Sequence, residues 1–231
     1  MKKCLTLLLA IPFLSNAQDC GNYLFMSNKS TVQMTIYDKK GKESGVQTWT
    51  ISDVKKNGNG YQSTVNSVMK DEKGKEISKG QGVYICDNGT LKADVRMSLP
   101  QEQMQTYKDA EANFDAAYIE YPSKLNEGQA LTDVDFKMEI KAQNGMPTTI
   151  TFKETNRKVE KKENITTPAG TWDAYVISYD AQFKTQMGPI GIPVNMQAKE
   201  WFVPNVGVVK TETYSKGGKL IGSTQITAIT K

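Results

Sequence analysis

Residues 134–142 read VDFKMEIKA, with Val134, Phe136, Met138, Ile140 and Ala142 at alternate positions and Asp135, Lys137, Glu139 and Lys141 between them. Such alternation yields one apolar and one polar face only in an extended chain, because successive side chains of a strand point to opposite sides. The segment is therefore a half-buried strand of an antiparallel sheet, one face on a core and the other in water. Val32-Met34-Ile36 and Leu91-Ala93-Val95-Met97 repeat the pattern, and noisier versions cover roughly 46–54, 60–69, 81–87, 148–154, 171–180, 194–203, 207–214 and 220–229.

Short polar turns separate these runs: Asp38-Lys39-Lys40-Gly41, Asp71-Glu72-Lys73-Gly74, Asn88-Gly89, Asn144-Gly145 and Gly217-Gly218. Asn-Gly and Gly-Gly supply the positive φ of two-residue hairpins, so the chain reads as a meander. Lysines at such tips are solvated and guard against edge pairing rather than marking a basic binding site. The expected fold is all-β, a curved antiparallel meander sheet or half-barrel.

One segment breaks the pattern. Ser98 and Gln101 are spaced as a capping box, Pro100 stands near a helix start, and Met104, Tyr107, Glu111 and Phe114 follow at approximate helical spacing. A short inserted helix near 100–113 is expected. It divides the chain into similar halves, 18–122 and 123–231, which form either two small domains or, as preferred here, one β-rich domain over 18–231.

Residues 1–17, MKKCLTLLLAIPFLSNA, combine Lys2 and Lys3 with a short apolar run and a small-residue site before Gln18. This is the pattern of a signal peptide cleaved near Ala17-Gln18, too short to span a bilayer, and no later stretch reads as a transmembrane segment. A periplasmic, cell-surface or secreted location follows. Cys20 and Cys86 then remain, and in an oxidising compartment they most simply form one disulfide, the alternative being two reactive thiols. The formal charge of +4 falls to +2 without Lys2 and Lys3, which gives nucleic-acid binding no support.

The sequence contains no histidine. Ser-His-Asp and Cys-His machinery and the common zinc sites are thereby excluded, and no phosphate-binding or nucleophile-elbow motif is present. No metal or cofactor is expected. For an enzyme there remain carboxylates: Asp133 and Asp135, two apart on one strand face, and Glu200 beside Trp201. Acid-pair hydrolysis needs two carboxyls about 5 to 9 Å apart. Acids on an outer strand face are ordinarily solvated, so the protein is read as non-enzymatic.

The features suited to binding are apolar. Met34, Met69, Met97, Met138 and Met196 recur on strands, and Trp49, Trp172 and Trp201 are spread over both halves. Thioethers adapt to irregular partners, so a concave face lined by Trp49, Met138, Trp172 and Trp201 would suit a lipid or other apolar small molecule, unless these side chains simply fill a core. Residues 185–193, TQMGPIGIP, place Met187 and Ile190 on a backbone interrupted by glycine and proline, either folded over the core or exposed as a contact lip. An envelope protein contacted through that loop or an edge strand is the alternative partner. A concave cavity above about 300 Å³, the lower end of ordinary ligand pockets, would distinguish a binding face from a filled core.

Residues 156–180, NRKVEKKENITTPAGTWDAYVISYD, crowd charge, threonine and glycine in the manner of a catalytic loop, yet Pro168 and Gly170 are explained as a turn that sets strand register. Together with Trp201-Phe202, Pro204 and the run Val206-Gly207-Val208-Val209-Lys210, this stretch resembles the DUF3108-like family of exported β-rich proteins of Gram-negative bacteria. The resemblance covers roughly 156–222, with weaker similarity at Asp38-Lys39-Lys40-Gly41, Cys20 and Cys86-Asp87-Asn88-Gly89. It implies a curved antiparallel sheet, similar to the half-barrels of periplasmic lipoprotein carriers, and brings no catalytic residues.

Overall fold

The structure, a computed structural model, describes residues 20–99, 111–141 and 147–231. The expected signal peptide, the Asn144-Gly145 turn and the 100–110 part of the expected helix lie outside the described residues. The strands are β1 Thr31–Asp38, β2 Glu43–Asn57, β3 Gly60–Asp71, β4 Glu76–Asp87, β5 Thr90–Asp94, β6 Glu111–Phe114, β7 Tyr118–Tyr121, β8 Val134–Lys141, β9 Pro147–Thr167, β10 Gly170–Met187, β11 Ile190–Val203, β12 Gly207–Ser215 and β13 Leu220–Thr230.

All thirteen lie in one antiparallel sheet, ordered β6-β8-β9-β10-β11-β12-β13-β1-β2-β3-β4-β5-β7. Two meanders, one from each half of the chain, are joined where β1 pairs with β13 from Thr31 opposite Thr230 to Asp38 opposite Gly222. The free edges are β6 and β7, which follow one another in sequence but do not pair. The chain between Phe114 and Tyr118 can span at most about 3.3–3.6 Å per residue, so the edges stay close and the sheet curls without closing.

Two sequence expectations are corrected. Glu111–Phe114 is a strand on β8, with Ala112 opposite Ile140 and Phe114 opposite Met138, and the described residues contain only short 3₁₀ turns and no α-helix. Phe114 packs against Phe136 at 6.1 Å between ring centroids, a contact between adjacent strands that outweighs local helical spacing. Strand β5 also ends sooner than the alternation through Met97 implied. Val95–Ser98 forms a 3₁₀ turn capped by Asp94, whose carboxylate accepts from Arg96 N at 3.0 Å.

The turn chemistry is local. Asp38 Oδ1 accepts from Lys40 N and Lys42 N at 2.8 and 2.9 Å, Asp71 Oδ1 does the same for Lys73 N and Lys75 N, and Gly41 and Gly74 take positive φ. The repeated D-x-K-G-K is thus a hairpin tip. Residues 185–193 are regular after all: β10 runs to Met187, Gly188 at φ +56° and Pro189 form a two-residue turn, and β11 begins at Ile190. Glycine supplies the positive φ at the first turn position and proline the negative φ at the second. Pro193 is tolerated because β12 pairs with β11 only from Met196 onward, leaving an edge beside it.

One end of the curl is plugged by the N-terminal turns Cys20–Asn22 and Leu24–Met26. Cys20 is disulfide-bonded to Cys86, Tyr23 Oη donates to Gly89 O at 3.0 Å, and Phe25 stacks on Tyr84 at 4.5 Å. The plug brings aromatic surface into the sheet interior beside Trp49.

Candidate functional site

A cavity of about 320 Å³ lies on the inner face of the sheet. Its apolar wall comes from the first meander and the plug, with Phe25, Met34, Trp49, Met69, Tyr84 and Met97. Four of the five methionines noted in the sequence therefore line it, because they hold inward positions of β1, β3, β11 and the turn after β5.

The opposite wall is polar and has Glu200 at its centre. Tyr121 Oη donates to Glu200 Oε2 at 2.8 Å and Tyr179 Oη donates to Oε1 at 2.9 Å. Burial first and Glu200 second push both phenols well above their usual range, so they remain donors. Tyr121 is further fixed by stacking on Phe202 at 4.5 Å.

Glu154, 1% exposed, completes this wall and sits in the row of β9, β10 and β11 that also carries Ala181 and Met196. Behind it lies Arg157, also 1% exposed. Residues three apart on a regular strand face opposite ways, but Asn156 adopts φ +58° and the β9–β10 register slips there, so both side chains turn inward. Asn156 Nδ2 donates to Asp180 Oδ2 at 2.8 Å across the bulge. Arg157 Nε approaches Glu154 Oε2 at 3.1 Å, without the alignment of a hydrogen bond, while its Nη1 donates to the carbonyls of Thr132 at 2.9 Å and Glu120 at 3.3 Å. Burial, and then Glu200, push the Glu154 carboxyl up to about 8 against the pull of Arg157.

Of the six residues expected to form the binding face and lip, Trp49, Met138, Trp172, Trp201, Met187 and Ile190, Trp49 alone lines the cavity. Met138 is buried in the core opposite Phe114 and Ile150. Trp172 braces the β9–β10 corner: its Nε1 donates to Thr167 Oγ1 at 3.1 Å and its ring lies under Gly170. Trp201 is on the face of β11 away from Glu200, where Nε1 donates to Glu163 Oε1 at 2.8 Å and Lys210 Nζ stands 4.5 Å above the ring. Met187 and Ile190 face each other at the exposed tip of the β10–β11 hairpin. Asp133 and Asp135 are exposed, Asp135 on the outer face of β8 and paired with Lys153 at 2.6 Å, so they do not join Glu200.

The tip is continuous with the cavity. Ile190, Ile192, Val194, Met196, Ala198 and Glu200 alternate along β11 without a register break against β10 and so share one face. Ile190 and Ile192 are 69% and 68% exposed, whereas Met196, Ala198 and Glu200 line the cavity.

Sequence reading missed Glu154, Arg157, Tyr121 and Tyr179. Ile150-Phe152-Glu154 carries one signal, a carboxylate in the apolar phase of a strand; Arg157 carries none, because the bulge changes the phase. Among the described residues no cluster of three or more Cys, Asp or Glu is placed to hold a metal ion, and no helix is long and apolar enough to cross a membrane.

Fold and site together define an all-β protein whose open, curled antiparallel sheet surrounds an internal cavity with one aromatic-methionine wall and one acidic-phenolic wall. The chain belongs to the DUF3108-like family, whose family model matches residues 28–226. It is similar to the crystal structure of a candidate lipoprotein from Parabacteroides distasonis, with a TM-score of 0.74 and 23% identity over 92% of this chain and 100% of that one. It is also similar to a candidate exported protein with a YmcC-like fold from Bacteroides fragilis, with a TM-score of 0.71 and 19% identity over 89% and 97%. At such identities the likeness speaks for the fold alone. No curated protein matches the sequence.

Proposed function

We propose that the protein is a non-catalytic, exported binder of an apolar small molecule or lipid chain, which it holds inside the curled sheet and admits along the stripe from Ile190 to Glu200. The observation that carries this is the unbroken face of β11, apolar and exposed at the hairpin tip and forming the cavity wall at its other end. The cavity volume of about 320 Å³ falls at the lower end of ordinary ligand sites. The lysine-apolar-small pattern of residues 1–17, the disulfide and the likeness to described lipoprotein and exported proteins support export to the periplasm or cell surface.

Native mass spectrometry of protein purified from its own compartment is expected to show a lipid-sized adduct. Protein free of any adduct, whose Trp49-dependent fluorescence also ignores added alkyl-chain probes, would overturn the reading.

One observation favours a second reading, a contact module of an envelope or surface assembly: Met187, Ile190 and Ile192 expose 54%, 69% and 68% of their surface side by side. Affinity capture with Met187→Ser and Ile190→Ser distinguishes the two, since undiminished partner recovery removes the tip as the contact.

A further inference from the structure

The two walls of the cavity differ in what they can offer a ligand. One is apolar and aromatic. The other presents Glu154 and Glu200, with the neutral hydroxyls of Thr211, Thr213 and Thr224 beside them, and no lysine or arginine reaches the lining among the described residues. Arg157 stands behind Glu154 and spends Nη1 on two backbone carbonyls.

Glu200 has one donor on each oxygen, Tyr121 and Tyr179. A carboxylate offers about four lone-pair sites, so acceptor capacity remains. Glu154 stands beside it in the lining with Oε2 buried against Arg157 Nε at 3.1 Å, which fixes the carboxyl in place. A carboxylate or phosphate placed there would lose its hydration, stand beside Glu200 and find no cation in the lining.

Resting on the cavity-binding reading above, we propose that the ligand is a single-chain amphiphile whose polar end donates hydrogen bonds, an amine or a hydroxyl, and that Glu154 and Glu200 receive this end while the chain lies against Met34, Trp49 and Met69. Fatty-acid and phosphate heads are discriminated against. At about 30 Å³ per water-sized group the cavity holds roughly ten methylene-sized groups, which selects decyl chains as probes.

The test is titration of the whole protein with decylamine, 1-decanol and decanoate, followed by Trp49-dependent fluorescence and calorimetry. The amine or the alcohol is expected to bind at least about tenfold more tightly than decanoate, the scale of one charge-assisted hydrogen bond. An advantage of the amine over the alcohol assigns a cationic head, and the reverse assigns a neutral donor. Glu154→Gln, with circular dichroism confirming the sheet, is expected to narrow the preference over decanoate; Glu200→Gln provides the same check from the other carboxyl. Equal binding of all three probes overturns the head-group assignment and leaves the cavity reading standing. Decanoate binding tightest overturns it as well, and binding of none overturns both.

Discussion

Glu154 is held between opposing influences. The interior and the neighbouring Glu200 disfavour its charged form, Arg157 favours it, and the balance raises the carboxyl to about 8. In the unfolded chain the same group titrates near 4.5. Because the folded value is the higher one, the stability this carboxyl contributes is complete below the unfolded value and is lost as the pH rises through the folded one. Thermal unfolding followed from about pH 5 to about pH 9 is therefore expected to show a falling Tm over that window. Glu154→Gln, which carries no titrating proton, is expected to flatten the profile, and an unchanged slope would place its origin elsewhere. Glu200, Arg157, Tyr121 and Tyr179 surround the group, but the phenols stay protonated over this range because burial pushes them well above their usual values. Of this cluster the sequence reading singled out Glu200 alone, though a signal for Glu154 was present. Glu154 continues the inward phase of Ile150 and Phe152, whereas Arg157 faces inward only because Asn156 takes φ +58°. A bulge leaves little trace in a pattern of alternating polarity.

At the scale of elements, the N-terminal plug and β12 are fitted to one another through Gly207. Its φ is +108°, and a Cβ added there would stand 2.7 Å from Phe25 Cε2. Leu24 N donates to Asn205 O at 2.8 Å in the adjoining turn, so the plug cannot simply step back. Gly207→Ala combines a disfavoured backbone region with overpacking and is expected to cost about 1–3 kcal/mol. Urea unfolding measures it, and a loss below about 0.5 kcal/mol, typical of surface substitutions, would show that the plug yields freely. Element lengths were read less well than element positions. Alternation located β8 and the cores of most other strands, but β9, 21 residues long, was recognised only over its first part because its bulges reset the phase. The end of the expected helix illustrates the opposite error: local spacing around Glu111 and Phe114 looked helical, and over those residues pairing with β8 decides for a strand through contacts that sequence spacing does not contain.

For the whole molecule, the partner of each strand matters more than its existence, and that is where the sequence says least. Hairpin turns specify neighbours within each meander, but nothing local states that β1 meets β13 or that β6 and β7 end as free edges. The long-range constraint that was legible is the disulfide, expected between the two cysteines outside residues 1–17 and formed by Cys20 and Cys86. Cys20 and Cys86 are separated by 66 residues, and cross-linking a loop of that size restricts the unfolded chain by about 4 kcal/mol in the entropic model. The bond does not stand alone in holding the plug. Tyr23 donates to Gly89, Leu24 to Asn205, and Phe25 stacks on Tyr84. Replacing both cysteines with serine is therefore expected to leave the β-sheet spectrum unchanged at room temperature while lowering the unfolding free energy by up to about 4 kcal/mol. Native-state hydrogen exchange is expected to register the loss first in the plug, because a segment held by few backbone bonds opens below the global free energy once its covalent tie is gone. Uniform loss of protection across β1 to β13 would instead mean that plug and sheet unfold as one unit, and a stability unchanged within error would mean that the unfolded chain was already compact between these two positions.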